Sequence, residues 1–212
     1  MLSIQRLLIN YNFSVRNGPI KYICLHDVGA SSTAKNNRDY FNGGDRGASA
    51  DFFVDSTNII QCIDYNKNYG WSIGDGHGVY GITNNNSISI EMCLEPSLRP
   101  SSATVTNTIN LTQQLMHDLN IPLERVVRHY DASRKSCPHS FSDNNWALWN
   151  DFKKQLIPVS ANNATTQKVN YCKKFQAFYN QATDTRKPLI EDGIYGKATE
   201  VAFQAMGLLI KK

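Results

Sequence analysis

Apolar positions along the chain follow two periods, and their order outlines an α/β protein. Residues 20–25 (IKYICL) form a short apolar run with β-branched and aromatic side chains, which predicts a buried strand ending at His26 and Asp27. Residues 38–41 belong to a helix that stops at Asn42, Gly43 and Gly44. Residues 50–54 predict a second strand, Asp55 to Asn58 a turn, and 59–65 the returning strand. The stretch 70–81 is rich in Gly and aromatic residues and is expected to be a surface loop. Residues 87–94 (SISIEMCL) alternate and then become apolar, as another strand would. Over 104–119 the spacing is helical, through Val105, Ile109, Leu111, Leu115, Met116 and Leu119, with Asn120 and Pro122 closing the helix. A short strand at 125–127 leads to His129, and a helix over 146–156 carries Trp149, Phe152 and Leu156 on one face. Strands alternating with helices imply a central mixed β-sheet flanked by helices.

The pattern changes after residue 157. Residues 158–168 are mostly polar, small and aperiodic, which predicts a linker between a domain over 1–157 and a small helical domain over 169–212. In that second part the expected helices lie near 169–182 and 197–206, with a turn at Glu191, Asp192 and Gly193.

Composition narrows the function classes. The hydrophobic fraction of 41% suits a sizeable core, and the low charged fraction of 19% is offset by Asn, Ser, Thr and Gln. A net charge of +4 and a pI near 8.7 favour polyanionic surroundings such as an anionic cell wall. The basic residues are scattered and no zinc-finger spacing occurs, so no nucleic-acid partner is expected. Five cysteines without a CxxC argue against a disulfide framework. Cys24, Cys62 and Cys93 lie in strand-like runs and are expected as buried thiols, whereas Cys137 sits in a polar loop before Pro138. The opening MLSIQRLLINYNF lacks the features of a signal peptide, and no stretch reaches the roughly 18 apolar residues of a membrane span. Synthesis in the cytoplasm without a secretion signal and no membrane insertion are therefore expected, and the protein is separately expected to be a monomer.

Three residues are candidates for a metal site. His26 lies at the end of a predicted central strand, the edge where open α/β sheets bind ligands. His129 also follows a strand, and Cys137 comes eight residues later across a polar loop. Two imidazoles and a thiolate suit tetrahedral zinc and leave a fourth position open. On spacing alone a surface His, a buried His and a structural thiol would read the same way.

The strings YICLHDVG, FNGGDRGASADFFVD, WSIGDG, GITNNNSISIEMC and RHYDASRKSCP occur in this order over roughly residues 1–157. Together they resemble the zinc-dependent N-acetylmuramoyl-L-alanine amidases of type 2. That family includes phage endolysins and Gram-positive autolysins, and it shares its fold with peptidoglycan recognition proteins. The resemblance implies zinc held by His26, His129 and Cys137, with Glu91 as the general base for water. It implies Lys135 as the cation beside the developing oxyanion, and bacterial peptidoglycan as the substrate. Asp131 would orient His129 as an outer acceptor, or simply turn the loop. Trp71 with the following Gly-Asp-Gly is expected to line the substrate groove, and Asn86 to sit at its edge. The second part, KKFQAFYNQ through IEDGIYGKATEVAFQ, resembles the small helical peptidoglycan-binding module of wall hydrolases. Its ligand would be peptidoglycan or a secondary wall polymer.

The chain departs from this pattern at Asp51 and Ser72, where relatives often carry His, which bears on contacts to the stem peptide. His139 is the rival metal ligand, His77 is a spare histidine, and His117 is expected to be structural. Two other classes compete with the amidase. A binding-only wall sensor of this fold would lack the cysteine ligand. A glycosidase would pair Glu91 with Asp131 about 5–10 Å apart and leave the His and Cys residues without a role.

Overall fold

The computed structural model describes residues 2–157, 161–182 and 188–205. The chain divides into two compact units, Met1–Ile157 and Pro158–Lys212.

The first unit is built on a six-stranded mixed sheet in the order β1-β5-β4-β7-β3-β8. Its strands are β1 (Ile4–Arg6), β3 (Tyr22–Ser31), β4 (Phe52–Val54), β5 (Ile59–Gln61), β7 (Ser87–Leu94) and β8 (Val126–Arg128). β3 runs parallel to both β7 and β8, β4 is parallel to β7, and β4 turns back antiparallel into β5. Strands β2 (Phe13–Val15) and β6 (Asn68–Gly70) form a separate antiparallel ribbon. The alternation read from the sequence sorts side chains onto two faces, because successive strand residues point to opposite sides. Ile23 and Leu25 of β3 and Ile88, Ile90 and Met92 of β7 form one core with Ile109, Leu111 and Leu115 of α2 (Ser102–Asp118) and with Trp149, Phe152 and Leu156 of α4 (Asp143–Leu156). Val28, Phe53, Ile60 and Cys93 face the other way and pack with Ala34 and Phe41 of α1 (Ala34–Asn42). Cys24, Cys62 and Cys93 are buried free thiols, as expected.

Local chemistry accounts for the helix ends. Thr33 and Ser101 accept from the amides of Asn36 and Thr104 as N-caps of α1 and α2, both at 3.1 Å. Thr108 and Thr112 are buried on the inner face of α2, where their hydroxyls donate back to the carbonyls of Thr104 and Thr108. Asn120, at φ 51°, takes the left-handed conformation just past α2. α4 opens irregularly, with Asn144, Asn145 and Trp146 at positive φ, so its regular part begins close to where the periodicity predicts.

Arg16 ties the ribbon to the sheet. Its guanidinium donates to the carbonyls of Tyr65 and Ser87, each at 2.9 Å, and to those of Asn68 and Asn85. Replacing it with Met leaves these acceptors without their donor. Arg16→Met should cost about 2–3 kcal/mol. All three tryptophans lie within residues 1–157, so a lower urea midpoint by Trp fluorescence is the expected readout. An unchanged midpoint would mean that solvent replaces the clamp.

Several short elements differ from expectation. β3 continues past His26 to Ser31, α1 begins at Ala34 rather than near Arg38, and β1, β2 and β6 have no counterpart in the sequence reading. In the second unit α5 (Ala161–Ala182) starts well before residue 169, so 161–168 are helical where a linker was expected. Residues 158–160 of that stretch lie outside the described residues. α6 (Lys197–Ala205) follows as expected, although residue 206 falls outside the described residues. Between these helices, Gln176 accepts from the Gly193 amide and donates to Asp192, Ile194 and Thr199, while the Phe175 and Phe203 rings stack. Gly193, at φ 78°, supplies the left-handed residue of the turn.

Candidate active site

The sheet register alone brings three of the expected residues into a row. His26 on β3 is the register partner of Glu91 on β7. On its other side β3 pairs with β8 up to Leu25 and Arg128, so His129 follows at the next position. Adjacent strands lie about 4.8 Å apart, and the His26 and His129 ring centroids are separated by 4.7 Å. β8 ends there and the short helix α3 (His129–Ser133) begins, with the Asp131 carboxylate accepting from the Arg128 backbone amide at 2.9 Å. The chain then loops back and places Cys137 over His26, with Sγ 3.8 Å from His26 Nδ1. Asp27 holds that return by accepting from the His139 and Ser140 amides at 3.0 and 2.6 Å.

His26, His129 and Cys137 are all buried, and each offers one donor atom within 4.8 Å of the others, close enough to share a metal ion. They sit in a cleft of about 290 Å³ that Glu91, Lys135, Trp71, Ser72, Asp27 and His139 also line. Glu91 reaches it with 18% of its side chain exposed, and its Oε1 lies 3.8 Å from His26 Nδ1. Glu91 Oε2 and His26 Nε2 are buried without a hydrogen-bond partner among the described residues.

Burial dominates the electrostatics. It pushes the His26 imidazole well below its ordinary range, helped by His129 and Lys135, so the ring is held neutral. Burial also lowers His129, against the opposing pull of Asp75. The Cys137 thiol is driven up by burial and then by the Glu91 charge, so its thiolate needs a cation beside it. Burial, followed by the neighbouring Asp27, pushes the Glu91 carboxyl up to about 8, while Lys135 pulls it down.

Not every expected residue belongs to this cluster. Asp131 does not orient His129: its carboxylate is taken by the Arg128 guanidinium at 2.6 and 3.0 Å. The acceptor on His129 is Asp75, whose Oδ1 lies 2.8 Å from Nε2. Asp75 belongs to the Gly-Asp-Gly segment assigned to the groove, and its partner is 54 residues away, a separation no local pattern reveals. Asn86 does not line the cleft. Its side chain closes a turn, accepting from the Thr83 amide and donating to the Gly81 carbonyl. Trp71 does line it, with the indole N–H donated to Ser14 at 2.9 Å. Ser72 lines the cleft too, whereas Asp51 is buried outside its lining, accepting from the Ser89 amide and hydroxyl. His139 is exposed on the cleft wall and outside the donor cluster, and His117 is a surface residue beside Asp118 rather than a structural one.

The fold and site define a class: a mixed α/β sheet whose parallel strands deliver a buried two-His, one-Cys donor set, with a carboxylate beside it, to an open cleft. The profile of the N-acetylmuramoyl-L-alanine amidase family matches residues 16–140, and the chain belongs to that family. N-acetylmuramoyl-L-alanine amidase XlyB of Bacillus subtilis is 33% identical over 128 residues, covering 59% of this chain and 39% of XlyB. CwlH of the same organism, also an N-acetylmuramoyl-L-alanine amidase, is 34% identical over 134 residues, covering 62% of this chain and 50% of CwlH. The chain thus spans half or less of these two curated relatives. Among solved structures, the catalytic domain of XlyA superposes with a TM-score of 0.62 at 30% identity, covering 73% of this chain and 99% of that domain. PlyL gives a TM-score of 0.63 at 27% identity, covering 73% and 97%.

Proposed function

We propose that the chain is a zinc-dependent N-acetylmuramoyl-L-alanine amidase that hydrolyses peptidoglycan between N-acetylmuramic acid and the L-alanine of the stem peptide, as endolysins do. The observation that carries this reading is the convergence of His26, His129 and Cys137 beside Glu91 in one cleft. The donor set fits zinc: two neutral imidazoles and a thiol match its preferred ligands, and the 3.8 Å between Sγ and Nδ1 is close to the donor spacing of about 3.5 Å implied by tetrahedral bond lengths. Zinc held there supplies Lewis acidity to a water molecule and to the amide carbonyl.

The chain's own residues account for the remaining chemistry. Glu91 Oε1 takes a proton from the attacking water and returns it to the alanine nitrogen as the C–N bond breaks. The hydroxyl stays on the carbonyl carbon, so the products are a free amine and a muramic carboxylate. Lys135 lines the same cleft, which supports a role for its ammonium in stabilising negative charge on the carbonyl oxygen. Trp71 supplies an apolar wall for the substrate. Lys135→Ala should lower kcat about 100-fold, with zinc content unchanged. Retention of full kcat would remove Lys135 from the chemistry.

The binding-only reading is disfavoured because Cys137 is present and aligned with both imidazoles. A glycosidase pair is disfavoured because Asp131 is committed to Arg128 and lies outside the cleft lining. The second unit is proposed to hold the enzyme at the wall and so raise its local concentration, through a surface that includes the exposed Ile190, Ile194 and Tyr195. Among the described residues no helix is long and apolar enough to cross a membrane. The test is mass spectrometry of fragments released from purified Gram-positive cell walls. Free stem peptides with a new alanine amino terminus, beside peptide-free glycan, are expected. Fragments with sugar and peptide still joined would overturn the amidase assignment.

A further inference from the structure

The three donors are not supported equally. His26 lies within β3, which is hydrogen-bonded to a neighbouring strand on each side, so its backbone is fixed by the sheet. Cys137 is fixed through the amides that follow it, which donate to Asp27. His129 stands at the first residue of a five-residue helix, where the pairing with β3 has already ended. Its ring therefore needs an anchor that the backbone does not supply.

The loop at 74–76 is built to provide one. Asp75 places Oδ1 2.8 Å from His129 Nε2, and its Oδ2 accepts from the Ser133 hydroxyl at 3.2 Å, so one carboxylate spans both ends of α3. Shape enforces the approach as well as charge. A Cβ on Gly76 would lie 2.3 Å from the Ala132 carbonyl oxygen, so only glycine lets this loop press against the helix. A carboxylate on Nε2 keeps the proton on that nitrogen and leaves the lone pair on Nδ1.

We propose that Asp75 is a positioning residue of the metal site: it fixes the orientation and tautomer of His129 and presents Nδ1 to the other two donors. This rests on the zinc reading above and extends it to a residue outside the donor set. Outer carboxylates of this kind are worth about 10–100-fold in metal affinity. Asp75 does not act on the substrate in this role, so its removal should weaken metal binding first and affect turnover through it.

The experiment is a zinc affinity measurement on the full chain, by competition with a chromophoric chelator, with thermal melting of the metal-free proteins in parallel. Asp75→Ala should bind zinc about 10–100-fold more weakly than wild type, with the metal-free melting temperature unchanged. Asp75→Asn, whose Oδ1 can still accept from Nε2, should recover part of that loss. Ser133→Ala, which leaves the bond to His129 in place, should stay within about twofold of wild type, below the range for losing an outer ligand partner. Unchanged affinity in Asp75→Ala would overturn the proposal. So would a loss matched by a fall in metal-free stability, because Asp75 would then be supporting the loop rather than the ligand. Wild-type protein that binds no zinc would instead overturn the zinc reading, and the wild-type titration separates that failure from the others.

Discussion

Cys137→Ala is expected to lose both the metal and the hydrolytic activity. The thiol is one of three donors, and the two remaining imidazoles would hold zinc in a site with two open positions instead of one. Losing a direct ligand should cost more than the roughly 100-fold upper range for outer partners, so zinc should be lost on desalting. The fold should persist, because Asp27 still holds the loop after Cys137 through the His139 and Ser140 amides at 3.0 and 2.6 Å, and the sulfur adds only a 4.0 Å contact to Asp27. Metal analysis and wall turbidity clearance are the two readouts. Wild-type protein stripped by a chelator should recover activity when zinc is returned, and the variant should not. Stoichiometric zinc with full activity in Cys137→Ala would move the metal site elsewhere, and His139 on the cleft wall would be the first residue to test.

Glu91→Gln should separate binding from turnover in the opposite sense. The amide has the shape of the carboxylate and cannot take a proton from water, so zinc content should stay stoichiometric while kcat falls by about 10²–10⁴-fold. KM should change little, because Glu91 exposes only 18% of its side chain on the cleft floor and has little surface to offer a bound substrate. Release of stem peptides from purified walls at saturating substrate gives kcat directly. A fall of less than tenfold would show that another group carries the proton. The two variants together distinguish a metal ligand from a base, since one loses zinc and the other keeps it.

Much of this site was legible in the linear sequence. The run IKYICL followed by His26, the strand before His129 and the spacing to Cys137 make these three residues candidates, and the family resemblance is what assigns them as donors. SISIEMCL reads as a strand, and β7 puts Ile88, Ile90 and Met92 into the core while Glu91 lines the cleft. The helical spacing over 104–119, closed by Asn120 and Pro122, corresponds to α2 at Ser102–Asp118, with Asn120 at positive φ just past it. The three-residue strands β1, β2 and β6 carry no run of buried apolar residues and so leave no signal in the sequence, whereas the equally short β4, β5 and β8 are mostly buried and do. HYDAS carries no apolar stripe and reads as loop, and what starts α3 is the Asp131 contact back to the Arg128 amide.

Local sequence fixes which chemical groups the chain owns and which face of its own strand each one points to, because side-chain alternation is a local property of an extended backbone. Which of those groups meet depends on how distant segments pack. Glu91, His26 and His129 form a row because β7, β3 and β8 are parallel neighbours in that register, although they are far apart in the chain. Asp75 rather than Asp131 reaches His129 because Gly76 lets one loop press against α3 while Arg128 has already claimed the nearer acid. Strand order, register and loop approach are fixed by contacts between distant segments, and no periodicity in a single segment can encode them.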